Sequence, residues 1–128
     1  MYEVTARLRV RGGELEGFKR QAAQIMKATR ELDTKTVRYD WFLSEDGGEC
    51  VVREAYVDAD SLLKHQQQIA EAKMKLFRAF VAGHTMTFYS EPSPALSQLL
   101  SSLGATFTVF SLLQSLDVDI EVREEVRA

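Results

Sequence analysis

A single cysteine stands among the 128 residues, so no disulfide can form within the chain and nothing argues for an oxidising compartment. The two prolines fall together in Glu91-Pro92-Ser93-Pro94, a stretch that cannot lie inside a helix or a central strand. No charge of one sign dominates: 16 basic against 19 acidic residues leave a net charge of −3. The pI is near 5.4. A nucleic-acid footprint, which needs a basic domain, is thereby excluded. No apolar run reaches the roughly 18 residues of a membrane helix. No basic patch precedes a hydrophobic stretch at Met1-Tyr2-Glu3-Val4, so no secretory signal is expected and the expected location is cytoplasmic. Neither GxGxxG nor GxxxxGK[ST] occurs, so no phosphate cradle is visible. HExxH is also missing, and one cysteine with two histidines makes no protein-only zinc site. Cys50 has no evident activating neighbour and reads as a small core residue. No serine sits in a nucleophile elbow.

What is present is ordinary globular composition, 45% hydrophobic and 27% charged, at the size of one domain. Residues 2–10 alternate, with Tyr2, Val4, Ala6, Leu8 and Val10 on one face, as in a half-buried strand. Over 14–32 the period lengthens. Leu15, Phe18, Ala22, Ile25, Met26, Thr29 and Leu32 make one stripe of an amphipathic helix. Residues 36–44 alternate again, with Val37, Tyr39, Trp41 and Leu43 together. Glu45-Asp46-Gly47-Gly48 then signals a hairpin whose second arm is 49–57. Asp58 suits the N-cap of a second helix over 59–82, with Leu62, Ile69, Met74, Phe77, Phe80 and Val81 buried and Gly83 as its stop. A fourth strand is expected over 84–90, a short helix over 95–103 and a short strand over 105–110. The charged, alternating tail from Asp117 is left open. The order β-α-β-β-α-β is the ferredoxin-like arrangement, an α+β fold with an antiparallel sheet and two helices on one face. Residues 1–90 complete it, and 91–128 form a C-terminal extension that packs on the domain or on a partner subunit.

The two sheet faces carry different information. One shows Thr5, Arg7, Arg9, Arg38, Asp40, Phe42, Val51, Arg53, Thr85, Thr87 and Tyr89. That mixture suits a second copy packed against it, the alternative being a wet face with some exposed apolar residues. The helix-covered face contains a carboxylate, Glu54, in phase with Val52 and Tyr56. His65 follows Leu62 by three residues and precedes Ile69 by four, so it joins the buried stripe. Tyr39, Trp41, Tyr56, Met86 and Phe88 point into the same layer. Glu54 could pair with a helix lysine or accept backbone donors, and His65 could be a satisfied core histidine. Two titratable groups in one aromatic layer also fit a small-molecule cavity. His84, beside Gly83 at a strand entrance, reads as structural.

The run Val51-Val52-Arg53-Glu54-Ala55-Tyr56-Val57-Asp58-Ala59-Asp60-Ser61-Leu62-Leu63-Lys64-His65 resembles the antibiotic biosynthesis monooxygenase family. That family shows a strand with Glu-x-Trp, an acidic cap and a helix carrying His. The strands Val37–Trp41 and Val4–Leu8 also fit, and the resemblance covers residues 2–90. It implies a dimeric α+β barrel of two face-to-face sheets, with a cavity between sheet and helices in each subunit. Some members oxidise phenolic or quinol compounds with oxygen and no cofactor, and others bind or degrade haem. Glu54 and His65 match the motif acid and histidine. Tyr56 stands in the usual Trp position, and Thr5 and Ala6 stand where haem-degrading relatives use Asn.

Three functions follow as expectations. The first is a monooxygenase without metal, flavin or haem, acting on a small aromatic molecule. Its catalytic residues would be His65, Glu54 and Tyr56, and its substrate-binding residues Tyr39, Trp41, Met86 and Phe88. The second is a homodimer that binds a small molecule, or haem, without chemistry. The third is a structural dimer with a filled core.

Overall fold

The computed structural model describes residues 1–32 and 35–116. The elements are β1 (Tyr2–Val10), α1 (Leu15–Leu32), β2 (Thr36–Leu43), β3 (Glu49–Tyr56), α2 (Ala59–Phe80), β4 (Val81–Phe88), α3 (Pro94–Ser102) and β5 (Phe107–Val109). The open tail from Asp117 lies outside the described residues. The strands form one sheet in the order β2-β3-β1-β4-β5. The first four pair antiparallel, which is the α+β, ferredoxin-like arrangement that the element order implies. The fifth strand, in the extension, runs parallel to β4, from Met86↔Phe107 to Phe88↔Val109. A parallel neighbour needs a crossover, and α3 supplies it. The sheet is open, with β2 and β5 at its edges, and does not close on itself within the chain.

Local chemistry explains where the boundaries fall. Gly47, at φ 72°, closes the β2–β3 turn. There the Asp46 carboxylate accepts from the Gly48 N–H and the Ser44 hydroxyl, both at 2.8 Å. Those bonds hold the Asp46 carboxyl below its usual range. Asp58 caps α2, accepting from Ser61 N at 2.8 Å and Ser61 Oγ at 2.7 Å. The far end of α2 differs from expectation. Gly83 does not stop the helix. Val81 is already extended (φ −115°, ψ 128°), so helix passes straight into strand. Ala82 is the extra residue of a bulge against Arg9 and Val10. Gly83 lies opposite Arg9, and a Cβ there would meet the Arg9 guanidinium at 2.9 Å.

Bulges and helical phase also correct the core list. Thr36 and Arg38 pair with successive β3 residues, so Val37 is squeezed out of register and is exposed. On α2 the buried stripe runs Leu62, His65, Gln66, Ile69, Leu76. Met74 falls off that phase and is exposed, as is Leu32 at the end of α1. Where α1 crosses α2, Gly17 has no room for a Cβ because the Phe80 ring occupies the space. The extension belongs to the same core: Leu96 and Leu100 on α3 are fully buried. Past β5, Phe110, Leu112, Leu113 and Leu116 are exposed.

Removing a fully buried leucine forfeits transfer energy and leaves a cavity, typically costing about 2–5 kcal/mol. Leu100→Ala should therefore lower the free energy of unfolding by an amount in that range in chemical denaturation. A change below about 0.5 kcal/mol, the size of a surface substitution, would show that the extension does not share the core.

Candidate functional site

The layer between sheet and helices is not completely filled. A cavity of about 30 Å³ lies there, room for one or two water molecules. Strand parity and register build its floor. Glu54 of β3 sits between Val4 of β1 and Tyr39 of β2, and Val52 between Ala6 and Trp41. On β4, Met86 pairs with Ala6 and His84 with Leu8. Helix α2 closes the cavity with Gln66, Lys73, Leu76 and Phe77, and α1 adds Ile25.

Four polar groups meet among these apolar walls: Glu54, Gln66, Lys73 and His84. The Tyr56 hydroxyl donates to Glu54 Oε1 at 2.5 Å. Burial pushes the Glu54 carboxyl up, while the Tyr56 bond and the Lys73 charge pull it back. Lys73 Nζ donates to Gln66 Oε1 at 2.6 Å and lies 5.4 Å from the Phe77 ring centroid. Burial lowers its ammonium, and Glu54 opposes that shift. His84 is held below the usual histidine range, first by burial and then by the Lys73 charge. At neutral pH its imidazole is a neutral group able to accept a proton. Burial raises the Tyr39 phenol well above its ordinary value, and Glu54 adds to it. The buried indole N–H of Trp41 has no acceptor among the described residues. Burial pushes the Cys50 thiol up to about 11, which leaves it an inert core residue.

Of the residues singled out in the sequence, Glu54, Tyr39, Trp41 and Met86 line the cavity. His65 and Tyr56 are fully buried beside it. The His65 ring packs edge-on to Tyr39 at 4.7 Å and tilted on Tyr56 at 5.4 Å. It meets the cavity through the Tyr39 ring. Phe88 lies apart, against Tyr2 and Phe107. Lys73, Gln66, Phe77 and His84 were missed as site residues. Lys73 follows Gln66 by seven residues, two helical turns, and so shares its stripe. His84 has the strand parity of Met86, a signal that its place beside Gly83 obscured.

A second hollow of about 290 Å³ opens outside the first and shares Lys73, Phe77 and His84 with it. The Phe77 and His84 rings lie 4.4 Å apart, between the two spaces. Its outer wall is Ala70, Met74 and Arg78 of α2 with Ser102 at the end of α3 and Leu103 and Ala105 beyond it. Among the described residues no group of three or more His, Cys, Asp or Glu is placed to hold a metal ion. No helix there is long and apolar enough to cross a membrane.

Comparison with known proteins agrees with this architecture. Over 90% of the chain and 87% of its counterpart, the fold is similar to MupZ from Pseudomonas fluorescens, with TM-score 0.69 and 23% identity. It is similar to Rv0793 from Mycobacterium tuberculosis over 73% of the chain and 97% of that one, with TM-score 0.61 and 21% identity. PA3566 from Pseudomonas aeruginosa matches over 72% and 94%, with TM-score 0.61 and 15% identity. At these identities the likeness is one of fold. No curated protein matches the chain. The sequence profile of the family described as antibiotic biosynthesis monooxygenase matches residues 1–83, which take in β1 through the start of β4 with Glu54, His65 and Lys73. The chain belongs to the antibiotic biosynthesis monooxygenase family.

Proposed function

We propose that the chain is a monooxygenase that oxidises a small phenolic or quinol-type aromatic with molecular oxygen and without a prosthetic group. The observation that carries this reading is the meeting, on one aromatic-walled cavity, of the neutral His84 imidazole and the unused indole N–H of Trp41. An unsatisfied buried donor costs on the order of 1–3 kcal/mol, which a ligand oxygen would recover. The inner cavity is water-sized and the outer hollow is near the ~300 Å³ lower end of ligand pockets. The ring therefore sits in the outer hollow with its reacting edge turned inward past Phe77 and His84.

His84 takes the phenolic proton, and the Trp41 N–H donates to the phenolate oxygen. The Lys73 ammonium stabilises that negative charge. The electron-rich phenolate then gives an electron to oxygen, and recombination forms the carbon–oxygen bond. One oxygen atom enters the ring and the other leaves as water, converting a hydroquinone to a hydroxyquinone. Tyr39, held by His65, and Met86 keep water from the reacting edge. Haem does not suit this site. The inner cavity is about 30 Å³, and His65 is closed in by Tyr39 and Tyr56. Binding without chemistry is the second reading, favoured by that small inner volume; a ligand retained through purification, with blank oxidation assays, would select it.

Oxygen uptake across a hydroquinone panel tests the enzyme reading. His84→Ala should reduce kcat/KM by about 10²–10⁴-fold, the usual worth of a positioned base. In the wild type, kcat/KM should hold at neutral pH and fall as acid protonates His84, below the ordinary histidine range. Uptake unchanged in the variant, or absent with every substrate, would overturn it.

We also propose that the working unit is a homodimer formed through the uncovered sheet face. Phe42 and Tyr89 are about half exposed there, among the pairs Thr5–Tyr89, Arg7–Glu49 and Arg38–Asp40. Light scattering should give twice the chain mass, and Phe42→Asp should shift it toward one chain. A wild-type mass of one chain would exclude the dimer.

A further inference from the structure

The outer hollow has a one-sided charge. Among the described residues its lining carries two cations, Lys73 and Arg78, with the neutral His84 and no carboxylate. Arg78 is exposed at the rim, and Lys73 lies at the inner end beside Phe77. Between these two cations the walls are apolar: Met74 and Phe77 on the helix side, Leu103 and Ala105 on the other. Met74 and Leu103 are 42% and 38% exposed, so the hollow presents apolar surface that the described residues do not cover. A carboxylate at the rim would meet a guanidinium suited to bidentate pairing, while an aromatic ring attached to it would lie between Met74 and Leu103.

The second wall is not part of the family match. That match ends at residue 83, whereas Ser102 closes α3 and Leu103 and Ala105 follow it. Leu96 and Leu100 anchor this segment in the core. The backbone N–H groups of Leu103 and Ala105 both donate to Leu100 O, at 3.2 and 2.9 Å. Its position is therefore fixed by packing and by backbone bonds. The structural likeness to MupZ covers 90% of the chain, whereas that to Rv0793 covers 73%.

From these observations we infer that the substrate is an aromatic acid, a small ring system bearing a carboxylate, whose anion is held by Arg78 at the mouth of the hollow and whose ring is sized by Leu103 and Ala105. The inference rests on the reading of this cavity as the substrate site. It adds the charge of the substrate and assigns a specificity role to the C-terminal extension.

Two probes that differ by one carboxylate test it: 1-hydroxy-2-naphthoate and 1-naphthol, titrated calorimetrically into the full chain. The naphthoate should bind about tenfold more tightly, the scale of one charge-assisted pair. Arg78→Gln should erase most of that difference and leave 1-naphthol binding unchanged. Ala105→Trp should weaken both probes by filling the hollow. Leu103→Trp, at a more exposed position, does the same should the first variant fail to fold. Equal binding of the two probes, an unaltered preference in Arg78→Gln, unaltered binding in a folded tryptophan variant, or no binding of either would each overturn the inference. Binding as described with no oxygen uptake would leave the inference standing and remove the oxidation. Uptake with neutral quinols that Arg78→Gln does not alter, without a carboxylate preference, would do the reverse.

Discussion

A carboxyl group beneath a helix layer must be protonated, hydrogen-bonded or faced by a cation, because burying a bare charge costs several kcal/mol even after relaxation. Glu54 meets that constraint with the neighbouring Tyr56 hydroxyl and with the charge of Lys73. Much of the surrounding structure is arranged around those two partners. The end of β3 is buried on both sides, since Ala55 is as covered as Glu54 and Tyr56. The buried stripe of α2 is interrupted by His65 and Gln66 where an ordinary core would carry aliphatic residues. Gln66 in turn accepts from the Lys73 ammonium. Each group shifts the next: Glu54 upward by burial, Lys73 downward by burial, His84 downward by burial and by Lys73.

Such a linked set is poorly explained as a device for stability alone. Well-packed apolar side chains of similar volume often do as well or better in a core. The proposed function gives the set a use, in a site that holds or moves a proton while excluding water. The aromatic shell serves the same end. Tyr39 packs edge-on against Trp41 at 5.7 Å, and Phe18 lies tilted against Trp41 at 6.1 Å. These contacts immobilise the indole without providing an acceptor for its N–H among the described residues.

The sheet also divides the labour between its ends. The β2–β3–β1–β4 portion carries the polar layer. The β4–α3–β5 crossover widens the sheet and places a second wall over the mouth of the cavity. The pair Phe77–His84 stands at the join, with His84 facing both spaces. One strand position thereby connects the part of the molecule shared across the family to the part that follows the family match.

Local pattern determined a great deal. Alternation fixed which residues of β1, β3 and β4 face the helices. The Asp-Gly-Gly turn and the Asp58 cap fixed where two elements begin, because those signals act within a few residues and do not depend on distant packing. The placement of Glu54 on the covered face and of His65 on the buried helical stripe was legible for the same reason. Parity failed at Val37, where a bulge inserts one residue, because a bulge is chosen by the neighbouring strand rather than by the residues themselves. The parallel pairing of β5 depended likewise on α3 finding a place on the core. Above all, the sequence could nominate groups for the polar layer but could not rank them by distance. Tertiary packing decided that His65 lies beside Tyr39 and that His84 and Lys73 reach the cavity. That outcome depends on how α2 is rotated over the sheet, a quantity that no single element encodes.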